Sequence, residues 1–421
     1  MKPLTVTSTT PARGRGAFEV LGVFLKLGLT SFGGPVAHLG YFHREFVERR
    51  RWLDEAAYGD LVALCQFLPG PASSQVGFSV GLLRAGWLGA LAAWCGFTLP
   101  SVAMLLAFAA LAPDLSGTIG QGLVHGLKLT AVAVVAQAVW DMGRRLCPDR
   151  RRSAIALAAI ALLSTMHTVY AQLVVIALGA LAGLALYRND IEFDARGLPI
   201  TTQALQRRVS HTAGVVALVS FCALLAGLPV LLRFSPMLGG TAAQTLGSFD
   251  AFFRSGALVF GGGHVVLPLL QQQPLIHATV EPNELLAGYG AAQAVPGPLF
   301  SFAAYLGWMM PGAGGRIEGA ALATVAIFLP GLLLVVAALP HWQALRARRS
   351  TATMFAGVNA AVVGLLATAL YSPVWTSAVH APIDFAIAAA GFVLLVRWKT
   401  PPLAVVTLCA LAGAGTAVWA G

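Results

Sequence analysis

Residues 66–74 read QFLPGPASS and residues 293–301 read QAVPGPLFS, so the string Q-x-x-P-G-P-x-x-S occurs twice in the chain. Two prolines around a glycine interrupt a helix, because proline lacks an amide donor and the residue before it leaves the helical region. The first string lies in the middle of an apolar stretch, residues 58–83. Each string therefore predicts a helix that is broken near its middle.

A second motif precedes each of these strings. Residues 24–34 read FLKLGLTSFGG and residues 252–262 read FFRSGALVFGG, which both fit F-x-[K/R]-x-G-x-x-x-F-G-G. Shorter matches join residues 97–100 to 328–330 and residues 126–128 to 357–359. Because the four matches keep the same order in both halves, the sequence predicts a tandem duplication.

The composition defines the class of protein. Of the 421 residues 57% are hydrophobic and 10% are charged, and the mean hydropathy is +0.76. A soluble domain carries about 25% charged residues, and the apolar runs here are long enough to cross a hydrocarbon core about 30 Å thick. The composition excludes a soluble enzyme, a disordered chain and a nucleic-acid-binding module, and it predicts an all-α polytopic membrane protein.

The net charge of +10 is concentrated in short connecting segments. In the first half, the loops at 44–51 and 144–152 are basic. In the second half, segments 271–284 and 371–381 contain no Lys or Arg, whereas 346–349 is basic. Lys and Arg are enriched in cytoplasmic loops. The opposite bias of equivalent loops therefore predicts two homologous repeats of inverted topology.

Counting the crossings predicts re-entrant segments. If 58–83, 86–112 and 118–140 all spanned the membrane, the two basic loops of the first half would face opposite sides. We therefore expect 58–83 to form a re-entrant hairpin of two half-helices, and 17–43 to be broken at Gly33-Gly34-Pro35. The second half would repeat both hairpins from the opposite face, after an extra crossing at 212–232.

These considerations divide the chain into four parts. We expect residues 1–16 to form a cytoplasmic tail, residues 17–187 the first repeat, residues 188–211 a polar linker, and residues 212–421 a connecting helix and the second repeat. No cleavage site follows a clean apolar core near the N-terminus. The five cysteines and nine histidines lack metal-ligand spacing, so no metal and no cofactor is expected.

The breaks are the candidate substrate site. Non-helical backbone at membrane depth lines a cavity or is buried in protein, and helix N-termini bind anions. The alternative is that both motifs only kink packed helices. The candidate substrate-binding residues at the breaks are Ser31, Phe32, Gly33, Gly34, Pro35 and His38; Gln66, Pro69, Gly70, Pro71, Ser73, Ser74 and Gln75; Phe260, Gly261, Gly262, Gly263 and His264; and Gln293, Pro296, Gly297, Pro298 and Ser301.

Cations inside apolar segments are further candidates, because a charge at membrane depth is costly. Lys26 and Arg254 occupy the same repeat position, which predicts that they face one another across a pseudo-twofold axis and bind a multivalent anion. Snorkelling to the membrane interface is the alternative. Lys128, which is matched by Asn359, is a third candidate. For His38 and His264, hydrogen-bonded packing is favoured over proton coupling.

At these residues the sequence resembles the chromate ion transporter family in its long, two-domain form. The resemblance rests on SFGGP at 31–35 with His38, RRWL at 50–53, QFLPGPASSQ at 66–75, FGGGH at 260–264, and Gln293 with PGP at 296–298. It covers residues 17–140 and 245–370. Residues 17–187 and 212–421 would then contain the two chromate-transporter repeats.

The resemblance implies export of chromate from the bacterial cytoplasm through the inner membrane, which confers chromate resistance. Its implied partners are chromate and the lipid bilayer, without nucleic acid. Sulfate or another oxyanion is the alternative substrate, and a homodimer is an alternative assembly. A membrane-embedded enzyme acting on lipid or quinone is the alternative of a different class. It would need clustered acid–base or metal-binding residues, which the sequence does not show, so no enzyme is expected.

Overall fold

The computed structural model describes residues 13–112, 117–166, 171–186, 209–234, 240–260, 262–310, 315–342 and 349–420. Within these ranges the chain is helical and contains no β-strand. Most of the expected tail, most of the expected linker and most of the basic segment 346–349 lie outside the described residues. The predicted all-α class is confirmed.

The first half contains seven helices within the described ranges. Their bounds are α1 Arg13–Thr30, α2 Gly34–His43, α3 Glu55–Phe67, α4 Ala72–Leu111, α5 Thr118–Leu146, α6 Arg150–Thr165 and α7 Ala171–Leu186. A π-helical turn, Arg44–Arg49, continues α2 into the basic loop. Helix α4 has non-helical backbone angles at Ala85 and Gly86, so it consists of two helical pieces.

The second half repeats this order after one additional helix, α8 His211–Arg233. Its other helices are α9 Gly240–Ala257, α10 Val266–Gln271, α11 Pro274–Thr279, α12 Pro282–Ala294, α13 Phe302–Met309, α14 Arg316–Ala338, α15 Arg349–Ala369, α16 Pro382–Val396 and α17 Pro402–Ala420. Short 3₁₀ segments, Gly263–Val265 and Leu299–Ser301, precede α10 and α13. Helix α8 corresponds to the extra crossing that the sequence predicts at 212–232.

Six helices in the described ranges are long and apolar enough to cross a membrane. They are Ala72–Leu111, Thr118–Leu146, His211–Arg233, Arg316–His341, Thr353–Trp375 and Pro402–Trp419. The helices next to the PGP turns are shorter: α3 and α12 have 13 residues each. At 1.5 Å per residue they measure about 20 Å, which is less than the roughly 30 Å hydrocarbon core.

The predicted breaks are present. Helix α3 begins at the Asp54 cap, whose carboxylate accepts the Ala57 amide at 2.7 Å, and it ends at Phe67. Leu68 is extended, with ψ 150°, as expected for a residue before proline. Likewise, α1 and α2 are separated by a turn in which Gly33 has φ 99°. The prediction of broken helices is confirmed.

The two halves exchange helices in a reciprocal way. Helix α5 packs against α16 and α17 of the second half, and its counterpart α15 packs against α6 and α7 of the first half. A Cβ added to Gly126 of α5 would overlap the backbone of Cys409, and one added to its repeat partner Gly357 would overlap the backbone of Gly179. Equivalent glycines thus make equivalent close contacts, which is the pattern of a pseudo-twofold axis between the repeats.

A second pair of equivalent contacts holds each broken helix in place. In the first half α1 packs on α4, and in the second half α9 packs on α14. A Cβ on Gly28 would lie 2.9 Å from the Phe97 carbonyl oxygen, and one on Gly256 would lie 2.9 Å from the Ile327 carbonyl carbon. Such close backbone approach through small residues is typical of packed membrane helices.

The first basic loop, residues 44–51, is tied to α1 and to the middle of α4. Arg50 bonds Glu45 at 2.6 Å and Glu19 at 3.2 Å, and Arg84 bonds Glu19 at 3.1 Å. Both guanidinium groups also lie over the ring of Trp52, at 5.3 and 5.1 Å from its centroid. These contacts fix the loop next to the break in α4.

Candidate functional site

Each PGP turn is hydrogen-bonded to the FGG turn of the other repeat. The amide of Gly70 donates to the Val259 carbonyl oxygen at 2.8 Å, and the amide of Gly297 donates to the Ser31 carbonyl oxygen at 2.9 Å. Gly70 and Gly297 are equivalent in the duplication, and so are Val259 and Ser31. The two hydrogen bonds are therefore one interaction made twice, across the two halves.

The two FGG turns also lie next to each other. A Cβ added to Gly263 would lie 3.4 Å from Pro35 Cγ, and a Cβ added to Gly34 would lie 4.0 Å from His264 Nε2. Each FGG turn thus contacts the other FGG turn and the PGP turn of the other half. The structure gathers all four predicted breaks in one region, which we call the turn cluster.

Four helical segments begin at the turn cluster. They are α2 at Gly34, α4 at Ala72, and the 3₁₀ segments at Gly263 and Leu299. None of the four has a side-chain cap on its first amides. First-turn amides lack an intrahelical acceptor, and the N-terminus of a helix carries a partial positive charge. The turn cluster therefore presents donors and positive potential without a formal cation, which suits an anion.

Three buried hydroxyl groups of this region make no hydrogen bond among the described residues: those of Ser31, Ser74 and Thr98. A buried polar group without a partner is costly. Ser31 lies in the first FGG turn, and Ser74 lies in the first turn of α4. Their free hydroxyls indicate a site that is completed by a polar ligand or by water.

Other predicted residues of the first PGP turn support the backbone. The Gln75 side-chain amide donates to the carbonyl oxygens of Pro69 at 2.9 Å and Gly331 at 3.0 Å. It therefore holds the turn against α14 of the other half. Ser73 Oγ lies 3.3 Å from His38 Nδ1. Pro71 precedes α4 as its N-cap residue.

The second PGP turn is built in a similar way. Ser301 Oγ donates to the Pro298 carbonyl oxygen at 2.7 Å, and Pro296 is buried. A Cβ on Gly297 would lie 3.0 Å from Ser101 Oγ. Gln293, the first residue of this string, is half-buried on α12.

The remaining residues of the FGG turns differ in exposure. Phe32 is half-buried, and the Phe260 ring lies 5.9 Å from the Phe355 ring. Gly261 lies outside the described residues. Gly34 has φ 77° and Gly262 has φ 151°, and nothing lies within 4 Å of a Cβ added to Gly262. Gly262 therefore borders open space, whereas a Cβ added to Gly34 would meet His264 Nε2.

The two histidines have different surroundings. His38 is 1% exposed, and its Nε2 lies 3.2 Å from the Ser31 carbonyl oxygen in addition to the contact with Ser73. His264 is half-buried, and its Nδ1 lies 2.9 Å from the Tyr289 hydroxyl. Both rings belong to the turn cluster, although they occupy different repeat positions.

The predicted pair of facing cations differs from what the structure shows. Lys26 lies on the exposed side of α1, beside the exposed Leu25 and Leu29. Arg254 bonds Asp250 on its own helix, with Nη2 and Oδ1 2.8 Å apart. Among the described residues, no hydrogen bond or ion pair joins either side chain to the turn cluster.

The helical phase explains this difference. The buried side of α1 contains Val23, Phe24 and Leu27, and in a helix of 3.6 residues per turn Lys26 falls outside that stripe. The equivalent helix α9 is buried on both sides of Arg254, at Phe253 and Ser255. A cation there needs a carboxylate partner. Equal repeat position therefore does not give the two cations an equal environment.

Lys128 and Asn359, which occupy equivalent repeat positions, also lie in different surroundings. Lys128 Nζ donates to Asn283 Oδ1 at 3.1 Å, at the beginning of α12. Asn359 is half-buried on α15.

Gln66 is exposed, and its Oε1 accepts a hydrogen bond from Arg145 of α5 at 3.3 Å. Arg145 and Lys128 lie 17 residues apart on α5, or about 25 Å along the helix. Gln66 therefore lies far from Lys128 along α5, and the two residues do not share one site.

Sequence reasoning missed three residues of this region. Tyr289 lies one helical turn before Gln293 on α12, and that spacing of four residues was the available signal. Thr98 and Ser101 flank the proline of the duplicated segment 97–100. Ser101 lies against Gly297 because α4 runs beside the second PGP turn.

Comparison with known proteins agrees with this architecture. The sequence model of the chromate transporter family matches residues 18–184 and 246–414. A chromate transport protein of Pseudomonas aeruginosa is 29% identical over 409 residues, which cover 95% of this chain and 91% of that protein. A probable chromate transport protein of Synechococcus elongatus is 27% identical, with 82% of each chain covered.

A chromate transport protein of Cupriavidus metallidurans is 25% identical, over 90% of this chain and 88% of that protein. No solved structure matches the chain. The two matched regions contain all four breaks and the helices that hold them, and together they cover most of the sequence. This chain belongs to the chromate transporter family.

Proposed function

We propose that this protein carries chromate out of the bacterial cytoplasm across the inner membrane and thereby confers chromate resistance. The observation that carries the proposal is the reciprocal pair of hydrogen bonds, Gly70 to Val259 and Gly297 to Ser31. These bonds bring four uncapped helical N-termini together between two halves of a membrane protein. The names of the relatives identify chromate as the substrate to test first.

The chemistry of the turn cluster fits a fully ionised tetrahedral oxyanion. Such an anion accepts hydrogen bonds and donates none, and the turns supply first-turn amides with the free hydroxyls of Ser31 and Ser74. Sulfate has the same shape and charge as chromate, so it is the second candidate substrate. Both anions can bind at the same positively polarised helix N-termini.

The arrangement of the halves supports an alternating-access cycle. In many transporters two inverted repeats rock around a site near the membrane midplane, which is formed by broken helices. Here each of the two inter-repeat hydrogen bonds joins a PGP turn to an FGG turn. We assign one bond to each side of the site, so that separation of one pair opens the site to one face of the membrane.

The orientation follows from the charges. Loops 44–51 and 144–152 contain clustered arginines, so we place them, together with the N-terminus, in the cytoplasm. Segment 271–284, which contains no Lys or Arg, then lies on the outside. One chain supplies all four turns, so the site needs no second copy for completion, and a homodimer stays an alternative assembly.

Flux measurements test the proposal. The purified protein is reconstituted in proteoliposomes, and uptake of radiolabelled chromate is compared with protein-free liposomes and with competition by unlabelled sulfate. We expect protein-dependent chromate uptake that sulfate inhibits. Sulfate transport without chromate transport would assign the protein to the second substrate, and absence of both fluxes in correctly folded protein would contradict the proposal.

Variants connect the flux to the turn cluster. Ser31→Ala and Ser74→Ala remove the two free hydroxyls, so we expect the KM for chromate to rise several-fold. Ser164→Ala is the matched control, because Ser164 is exposed on α6 and, in the described part of the chain, its hydroxyl makes a hydrogen bond only to the Ile160 carbonyl oxygen of its own helix. An unchanged KM in both turn variants would move the substrate site away from these turns.

A further inference from the structure

We propose that Tyr289 is a positioning residue that holds His264 with its Nε2–H directed at the oxyanion, so that His264 is a substrate-binding donor. The proposal rests on the proposed function of the turn cluster. It begins from the contact between His264 Nδ1 and the Tyr289 hydroxyl at 2.9 Å. Tyr289 has no exposed surface, and its ring meets Phe302 edge-on at 5.7 Å. The phenol is therefore fixed in direction.

The hydrogen bonds that Tyr289 and His264 can make determine which ring nitrogen of His264 carries the proton. A buried phenol proton needs an acceptor, and His264 Nδ1 lies at hydrogen-bond distance. With Tyr289 donating to Nδ1, the neutral imidazole carries its proton on Nε2.

That second ring nitrogen faces the centre of the turn cluster. Among the described residues, His264 Nε2 has no hydrogen-bond partner, and it is the nearest atom to a Cβ added to Gly34, at 4.0 Å. The space beside Gly262 is open as well. The Nε2–H group of His264 thus points from one FGG turn toward the beginning of α2. An oxyanion at that helix N-terminus would accept a hydrogen bond from it.

His38 provides the contrast within the same protein. Both of its ring nitrogens have partners, Ser73 Oγ at 3.3 Å and the Ser31 carbonyl oxygen at 3.2 Å, and it is almost fully buried. No ring donor of His38 is left for a ligand. The two repeats therefore differ in function at this point, with a packing histidine in the first and a binding histidine in the second.

The inference also specifies the substrate class. An Nε2–H donor stabilises an oxygen that only accepts hydrogen bonds, as every oxygen of chromate and sulfate does. Hydrogen phosphate carries an O–H group, which needs an acceptor. We therefore expect His264, together with the first-turn amides of the turn cluster, to favour fully ionised oxyanions over hydrogen phosphate.

The test measures chromate KM and Vmax in proteoliposomes, together with inhibition by sulfate and by phosphate. Tyr289→Phe keeps the ring and removes the hydroxyl that selects the tautomer, so we expect the KM for chromate to rise roughly tenfold, the loss of one charge-assisted hydrogen bond, with little change in Vmax. The matched control is Tyr305→Phe, since Tyr305 is equally buried and its hydroxyl bonds the Glu284 carbonyl oxygen instead.

A double-variant cycle separates positioning from a structural effect. A Gln side chain at position 264 supplies an N–H donor and has no tautomer, so His264→Gln should retain more transport than His264→Ala. In the His264→Gln background, Tyr289→Phe should have no further effect on KM. The inference would be overturned if Tyr289→Phe left the KM for chromate within twofold, or raised it equally in both backgrounds. In that case wild-type flux would still support the proposed function. Absence of wild-type flux would instead contradict that function.

Discussion

The amide of Gly70 donates a hydrogen bond of 2.8 Å to the Val259 carbonyl oxygen, although 188 residues separate them in the chain. The duplication repeats this bond between Gly297 and Ser31 at 2.9 Å. Each half thus stabilises the irregular backbone of the other half. In a membrane interior unpaired amides and carbonyls are costly, so neither half is expected to form its turns alone.

The first prediction concerns the glycines of this pair. Gly70 and Gly297 have φ angles of 119° and 104°, which L residues rarely adopt. A Cβ on Gly70 would also lie 2.9 Å from Gly331 Cα. We expect Gly70→Ala and Gly297→Ala each to reduce the free energy of unfolding by about 1–3 kcal/mol and to impair transport. Thermal unfolding in detergent and chromate flux measure the two effects.

Gly59→Ala is the control for these variants, because Gly59 lies within α3 of the same hairpin and nothing lies within 4 Å of its added Cβ. An alanine there favours the helix by about 0.5–1 kcal/mol. If the two turn variants were as stable and active as Gly59→Ala, the turns would not have the role that we assign to them.

The second prediction concerns topology. A cysteine at Glu48 should react with an impermeant reagent from the cytoplasmic side only, and a cysteine at Gln272 from the outside only. Both positions are exposed. Cys222 is a free, exposed cysteine on α8, so the background is Cys222→Ala. Labelling of both new cysteines from the same face would reject the inverted orientation.

The third prediction concerns entry from the cytoplasm. Arg145 touches Gln66 of the first PGP string, so its charge raises the local anion concentration beside the turn cluster. We expect Arg145→Gln to raise the KM for chromate about three- to tenfold at low salt, and less at high salt, as exposed charges are screened. Flux from the cytoplasmic side over a range of ionic strength measures this.

Arg144→Gln is the matched control, because the neighbouring Arg144 has the same charge and lies over the Trp140 ring, 5.9 Å from its centroid. Only the direction of the side chain distinguishes the two residues. Equal effects of the two variants would mean that net charge, and not the contact with Gln66, governs entry.

The fourth prediction concerns pH at the end of α2. His43 Nε2 lies 2.7 Å from Glu55 and its Nδ1 lies 3.3 Å from Glu48. The hydrogen bond to the Glu55 carboxylate is the largest effect and raises the pKa of His43 above its usual value. A raised pKa stabilises the fold below the unfolded pKa, and this stabilisation is lost as the pH rises through the folded pKa.

We therefore expect His43→Gln to lower the Tm most at pH 5–6 and least at pH 8–9. Thermal unfolding of both proteins across this range gives the difference. A difference in Tm that grows with pH would contradict the ion pairs of His43 with Glu48 and Glu55.

The fifth prediction concerns the driving force. A negative-inside potential favours exit of a dianion by about 4.6 kcal/mol per 100 mV, twice the value for one charge. At about 1.4 kcal/mol per tenfold, this supports a gradient of roughly a thousandfold. A potassium–valinomycin potential alone should therefore drive chromate accumulation on the positive side, and a proton gradient at zero potential should do little. Transport that follows the proton gradient and ignores the potential would require a proton-coupled cycle instead.

Much of the fold follows from local chemistry. Two prolines around a glycine, at Pro69, Gly70 and Pro71, strongly disfavour a continuous helix, so the break between α3 and α4 is predictable from the sequence. The same holds for the turn at Gly33 and Gly34, and the repetition of both motifs predicts their counterparts. A membrane protein of broken, duplicated helices was therefore predictable without coordinates.

The positions of the helix breaks, and the correspondence between the two repeats, follow from the amino-acid sequence, because they depend on proline, glycine and the hydrophobic pattern. The contacts at the breaks depend on the folded chain: Val259 lies against Gly70 and Tyr289 against His264, whereas Lys26 is directed away from the site. A repeat position fixes a residue along its helix, whereas the rotation of that helix and its partners depends on packing across the two halves. Contacts between residues far apart in the chain therefore needed the folded structure.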